Sequence, residues 1–250
     1  MTIKELLNLI AKIAKEEGTS EPFIVGGLPR DKVMGRIKEV QDIDLTTGDE
    51  SIKHLAEAVN SVISANYPDV HMKTFPDGHS QISIDGMKVD FSSNFQSPQV
   101  RKLMQKAGYT SPDSMTLELM SRDFTVNSLL LGLDISSIKD PTGSGIKDIN
   151  TKIIKTPLPP QITLSNDPKR IPRIIYMATK LGFDVEQPII DFVKNNPGLL
   201  KSIKDRYFID KIHESLDKDT DKTIKLLTDM NLWSYIPLSE RLRPHASGRL

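Results

Sequence analysis

An α+β architecture is predicted, with a first domain of mixed strands and helices over residues 1–156 and an all-helical second domain over 157–250. Two observations set this division. Short apolar runs bounded by glycine turns, many with polar and apolar residues alternating, occupy much of the chain up to Phe91. Pro157, Pro159 and Pro160 then make the clearest break, and beyond them apolar residues recur at helical spacing. A chain of 250 residues is long enough for two modest domains, each with its own core.

The elements follow in order. Leu6, Leu7, Ile10 and Ile13 have a helical period that ends near Gly18. Strand-like runs come at Phe23 to Gly26 and Ile43 to Thr46, and a helix is expected over Ser51 to Ala65 with Asp49 or Thr47 as its cap. Three short strands are expected next, at His71 to Phe75, Gln81 to Ile84 and Met87 to Phe91, the last two joined by an Asp85-Gly86 hairpin turn. Helical character resumes beyond Asn94, broken by a polar loop from Gly108 to Ser114. An apolar helix is expected from Asp123 to Leu133, followed by a turn-rich connector around Asp140, Gly143 and Gly145. The second domain is read as helices at Asp167 to Leu181, Gln187 to Asn195, Leu199 to Leu216 and Thr220 to Asn231, with a basic, frayed end from Arg241.

Composition narrows the function classes. No apolar run is long enough to span a bilayer and the start has no secretory pattern, so a cytoplasmic protein without membrane contact is expected. The chain has no cysteine, which removes disulfides and thiolate metal sites. Lysine and arginine number 33 against 33 aspartate and glutamate, so any nucleic-acid contact must come from local basic patches.

The chemistry begins at Val25-Gly26-Gly27-Leu28-Pro29-Arg30-Asp31, followed by Asp42-Ile43-Asp44. Side chains alternate along a strand, so Asp42 and Asp44 share one face while Ile43 points into the core. Two hard oxygen ligands beside a glycine backbone that can approach phosphates suit a magnesium-bound nucleoside triphosphate. Alone, such a pair is weak evidence, since most Asp-x-Asp pairs are solvated surface carboxylates. Asp90, alternating with Val89 and Phe91, is a third carboxylate that can stand beside the pair or merely face solvent. Arg122-Asp123-Phe124-Thr125-Val126-Asn127 gathers a cation, a carboxylate and an amide, and Asn166-Asp167-Pro168-Lys169-Arg170 with Arg173 reads either as a site or as a helix start capped by Asn166.

Taken in order, these segments, together with Asp140-Pro141-Thr142-Gly143 and Leu181-Gly182-Phe183, resemble the family of tRNA nucleotidyltransferases and bacterial poly(A) polymerases. Within the nucleotidyltransferase superfamily, they look like the class II CCA-adding enzymes. The resemblance spans roughly Phe23 to Phe183 and implies a nucleotidyltransferase head, with a small mixed or antiparallel sheet, followed by a helical neck. It implies that Asp42 and Asp44 ligate two Mg²⁺ ions, with Asp90 a third catalytic carboxylate, and that Gly26, Gly27 and Arg30 belong to the nucleotide site. Arg122, Asp123 and Asn127 would handle the sugar and phosphates, Asp167 and Arg170 the base edge, and Arg173 the triphosphate. The substrates it implies are CTP and ATP, added to an RNA 3′ end, that of tRNA above all.

Several departures qualify this. Ser121 stands where the family has a second arginine, Asn166 where an acidic residue is usual, and the stretch from Arg36 to Gln41 is slightly long. Pro172 lacks a helix donor and is expected to kink the chain. Relatives continue into body and tail domains that grip tRNA; this chain is expected to be a short form, minimal or completed by a protein partner or oligomer. Alternatives are a poly(A) polymerase using ATP, a non-catalytic nucleotide- or RNA-binding module, and nucleotidyl transfer to a protein or small molecule.

Overall fold

A computed structural model of the protein describes residues 1–36, 40, 42–67, 69–76, 78–93, 98–109, 113–203 and 205–237. The basic end from Arg241, Asn94 and part of the polar stretch after Gly108 lie outside the described residues. The chain divides into two compact units, Met1–Ile149 and Asn150–Leu250.

The first unit runs α1 (Ile3–Glu16), β1 (Phe23–Val25), α2 (Gly27–Val33), β2 (Asp42–Thr46), α3 (Ser51–Ser64), β3 (His71–Thr74), β4 (Ser80–Ile84), β5 (Met87–Phe91), α4 (Pro98–Lys106), α5 (Ser114–Met120), β6 (Leu130–Leu131), β7 (Ile138–Lys139) and α6 (Gly145–Asn150). A capping box starts α1: the Thr2 hydroxyl accepts from the Glu5 amide and the Glu5 carboxylate accepts from the Thr2 amide. The sheet order is β3-β4-β5-β2-β1-β6-β7, antiparallel except for the parallel pair β2–β5. A parallel pair needs a crossover, which α3, β3 and β4 supply.

The sheet has two unlike faces. Ile43, Leu45, Ile82, Val89 and Phe91 are buried in one cluster with Leu7 and Ile10 of α1 and Leu55 and Val59 of α3. Burying each such side chain contributes roughly 1.5–3 kcal/mol. β1 is buried throughout: Ile24 joins that cluster, while Phe23 and Val25 pack with Leu119 of α5 and Leu130 of β6. Asp42 and Asp44 alternate with Ile43 and are exposed. Between β4 and β5, Asp85 (φ 49°) and Gly86 (φ 78°) form the expected two-residue turn, both in the left-handed region that this hairpin requires.

Two expectations for this unit are corrected. The apolar helix placed over Asp123 to Leu133 is a single 3₁₀ turn, Thr125–Asn127, followed by β6. A short, wholly buried apolar run has no periodicity to separate helix from strand, and pairing of Leu131 with Ile24 on β1 settles it as strand. The connector after it contains β7, paired to β6, and α6.

The second unit holds β8 (Ile153–Ile154), α7 (Pro160–Asn166), α8 (Arg170–Leu181), β9 (Asp184–Val185), α9 (Gln187–Asn195), α10 (Asp205–Leu216) and α11 (Thr220–Asp229). It is helical apart from the two-residue parallel ladder β8–β9. Pro160 opens α7 at a first-turn position, where a missing N–H costs no helix bond. Asn166 is therefore the last residue of α7, not a cap; Asp167 instead accepts from the Lys169 amide. With α8 starting at Arg170, Pro172 also falls in a first turn and breaks no helix hydrogen bond, which removes the reason for a kink. The helix expected over Leu199 to Leu216 is a 3₁₀ turn, Pro197–Ser202, an extended Ile203, and then α10. Among the described residues no helix is long and apolar enough to cross a membrane.

At the start of α3 the formal cap, Glu50, makes no side-chain capping bond; Asp49 accepts from the Ser51 amide and hydroxyl, Thr47 and Ser20. Burial pushes the Asp49 carboxyl up, but these donors more than offset it and hold it below the ordinary carboxylate range. Asp49→Ala is expected to cost about 1 kcal/mol at neutral pH, as for other capping losses. A carboxyl depressed in the folded state stabilises above its unfolded pKa and loses that contribution as pH falls through the folded value. Urea melts of the two proteins therefore converge in acid.

Candidate nucleotide and metal site

The first unit holds nine of the expected residues, with Gly26, Asp44 and Asp90 gathered at the end of β1. Gly26 has φ 79° and ψ −127°, a conformation reserved for glycine, and a Cβ there would stand 2.6 Å from Asp44 Oδ2. The carboxylate thus occupies the space that a side chain at Gly26 would fill. Val25 pairs with Asp44 across β1 and β2, and Asp44 pairs with Asp90 across the parallel ladder to β5. Directly opposed residues share a face, so Asp44 and Asp90 are neighbours, with Asp42 two residues along. Gln81 of β4 pairs in turn with Asp90 and donates through Nε2 to both its carboxylate oxygens, at 3.0 and 3.2 Å.

A second group is buried. Arg30 is 4% exposed; its Nη1 donates to Asn127 Oδ1 at 2.8 Å, and Nε and Nη2 both lie 2.8 Å from Asp31 Oδ1. Asn127 Nδ2 donates to Asp123 Oδ1 at 3.1 Å, and the same oxygen accepts from the Phe124 amide. Arg122, Asp123 and Asn127 lie at the junction between α5 and the 3₁₀ turn, which turns the three side chains inward. A side chain at Gly27 would stand 3.3 Å from Arg30 Nη2, so the second glycine keeps the guanidinium close to the backbone turn.

Sequence reasoning missed several supporting groups. Glu118 is fully buried, accepts from Arg122 Nη2 at 3.0 Å and from Ser93 Oγ at 3.1 Å, and so ties Arg122 to the segment just past β5. Its signal was the i,i+4 spacing of Glu118 and Arg122 on a helix. Asp148, buried in α6, accepts from Thr125 Oγ1 at 2.7 Å and braces the 3₁₀ turn. Gln81 was legible by counting back from the Asp85-Gly86 turn.

The remaining three residues belong to the second unit. Arg170 Nε lies 3.6 Å from Asp167 Oδ2, so Asp167 supplies a charge beside Arg170 although Asn166 does not. Arg173 is exposed on α8. Tyr207 of α10, half-buried, has its hydroxyl pushed up by burial, with Arg173 and Lys211 pulling it down and Asp167 and Glu214 adding to the rise.

The donor set fits a magnesium ion in a limited sense. Asp42 and Asp44, two residues apart on β2, present carboxylates on one open face, as a hard cation that shares its shell with water and phosphate requires. Among the described residues no group of three or more histidine, cysteine or acidic side chains is gathered tightly enough to hold a metal, so the protein supplies a pair of carboxylates and not a closed cage. Gly26→Ala tests the cradle: a positive-φ backbone outside the left-handed helical well costs about 1–3 kcal/mol, and the new methyl displaces the Asp44 carboxylate. The expected result is a thermal midpoint lowered by several degrees, together with loss of any magnesium-dependent stabilisation by nucleotide.

The Poly A polymerase head domain family matches residues 22–155, more than half of the chain. A tRNA nucleotidyltransferase of Schizosaccharomyces pombe is 27% identical over 263 residues, covering 94% of this chain and 50% of its own length. An A-adding tRNA nucleotidyltransferase of Aquifex aeolicus is 29% identical over 203 residues, covering 79% of this chain and 23% of its own. Among solved structures, a tRNA nucleotidyltransferase complexed with a primer tRNA and an incoming ATP analog superposes with a TM-score of 0.69 at 26% identity, over 91% of this chain and 62% of that one. The chain thus spans about half the length of the first of these relatives, and less of the second. By its sheet, its helices and the match over residues 22–155, the chain belongs to the Poly A polymerase head domain family.

Proposed function

We propose that the protein is a magnesium-dependent, template-independent nucleotidyltransferase that extends an RNA 3′ end with nucleotides from CTP and ATP, and that its substrate is the CCA end of tRNA. The observation that carries this is the exposed Asp42–Asp44 pair seated against Gly26, with Asp90 next in register. Asp42 and Asp44 are the residues to hold two Mg²⁺ ions, which when bound activate the attacking 3′-hydroxyl and steady the departing pyrophosphate. Asp90 is the third carboxylate of that centre. Gly26 and Gly27 let backbone approach the triphosphate, and Arg122, Asp123 and Asn127 handle its phosphates and sugar, with Arg30 fixing the Asn127 amide.

Asp167 and Arg170 read the base. A carboxylate accepts from the exocyclic amine that cytosine and adenine both carry, while a guanidinium donates to ring nitrogen or carbonyl. Uracil and guanine present a different edge. Arg173 completes the set as a phosphate contact. The A-adding name of the Aquifex relative favours a second reading, in which ATP alone is used.

The deciding experiment supplies tRNAs ending at the discriminator base, at C and at CC, beside an unstructured RNA, with each nucleotide offered separately. Addition that stops at CCA supports the first reading. Addition of a single A to the CC end only supports the second, and long A-tails on any RNA overturn both in favour of polyadenylation. Asp42→Ala and Asp44→Ala are each expected to abolish incorporation while shifting stability by no more than about 0.5 kcal/mol, since both side chains are exposed. Arg170→Ala is expected to admit UTP and GTP; an unchanged preference for CTP and ATP removes its base-reading role.

A further inference from the structure

The register of the sheet carries the face of Asp42 and Asp44 well beyond the carboxylates. Asp44 pairs with Asp90, Asp90 with Gln81, and Gln81 with Lys73, so these four form one row across β2, β5, β4 and β3. A second row runs Asp42, Lys88, Ser83 and His71. Opposed residues share a face, so all eight side chains lie on the side of the sheet away from the α1 and α3 core. Asp42, Asp44, Lys88, His71 and Lys73 are exposed, and Asp90, Gln81 and Ser83 half-exposed. The charge changes along the rows: carboxylates stand on β2 and at Asp90, whereas the described positions of β3 and β4 on this face are basic or neutral.

The outer end of this face carries an aromatic step. Phe75, just past β3, pairs through its amide with the His79 carbonyl, and the two rings stack with centroids 4.0 Å apart and planes 10° apart. Lys73 Nζ stands 4.5 Å from the Phe75 ring centroid. Lysines beside stacked rings on an open sheet are the elements with which proteins hold single-stranded nucleic acid, cations for the backbone and ring planes for the bases. From β2 to β3 is three strand spacings, roughly 14 Å, room for a short extended stretch of such a strand.

We propose that this face, with Lys88, Lys73 and His71 and the Phe75–His79 stack, binds the single-stranded 3′-terminal segment of the RNA substrate and leads its end to Asp42 and Asp44. The proposal rests on the transferase reading above and adds to it where the acceptor strand lies. Its chemistry argues for RNA over an acidic protein segment, because Lys73 stands against a stacked pair of rings and the path ends at carboxylates that need a cation and phosphates between them.

The test is a fluorescence-anisotropy titration of the whole chain with a labelled single-stranded RNA bearing a free 3′-hydroxyl, at several salt concentrations and without nucleotide. Lys73→Ala and Lys88→Ala are each expected to weaken binding and to lower the slope of log affinity against log salt by about 0.7. Phe75→Ala is expected to weaken it about tenfold with the slope unchanged, and Lys73→Arg to keep wild-type binding. The thermal shift given by magnesium and ATP should be the same in Lys73→Ala and Phe75→Ala as in the wild type, which excludes a general loss of structure. Equal RNA affinity and salt slope in wild type, Lys73→Ala, Lys88→Ala and Phe75→Ala overturn the proposal. If binding follows the variants in a chain that extends no RNA, the surface is supported and only the transferase reading falls.

Discussion

The arrangement depends on the parallel pairing of β2 with β5. Burial of Ile43 and Leu45 beside Val89 and Phe91 forces the alternate residues out, among them Asp42, Asp44 and Asp90, with Lys88 opposite Asp42. A slip of one residue would turn the carboxylates into the apolar core and the isoleucine and leucine into water, a change that several buried side chains oppose at once. The position of the charged groups is therefore a by-product of hydrophobic burial on the other side of the same strands. No attraction between like-charged carboxylates is required to gather them; the core holds them together against their mutual repulsion.

The second half of the site is held by different physics. Arg30, Asp123, Asn127, Arg122 and Glu118 are buried polar groups, and each is tied to others by charged or amide hydrogen bonds. Arg30, Asn127 and Asp123 form one hydrogen-bonded chain and Arg122 with Glu118 a second, and breaking either in that buried setting is costly. Ser93 ties the Glu118–Arg122 pair to the segment just past β5, and Asp148 braces the 3₁₀ turn that carries Asn127.

Much of this was legible in the amino-acid order. The Asp42-Ile43-Asp44 alternation, the glycine turn and the Asp85-Gly86 hairpin each have a local cause, and the structure places them as that cause requires. Residues 123 to 133 were misread because Leu129, Leu130 and Leu131 are buried on all sides, and a run without an exposed face has no period to read. The helix boundaries near Asn166 and Ile203 were missed for another reason: prolines at 160 and 197 can start helices as well as interrupt them. Glu118 pairs with Arg122 at helical spacing, but its bond to Ser93 joins residues 25 apart in sequence, a contact that no local pattern announces.

The Asp85-Gly86 turn has no chemistry of its own, yet it sets some of the chemistry around it. A two-residue loop closes on Ile84 opposite Met87, and counting back from that pair places Gln81 against Asp90 and Ser83 against Lys88. The loop acts as a ruler for the face it borders. The length of that loop therefore shapes this face of the sheet as much as the identity of its aspartates.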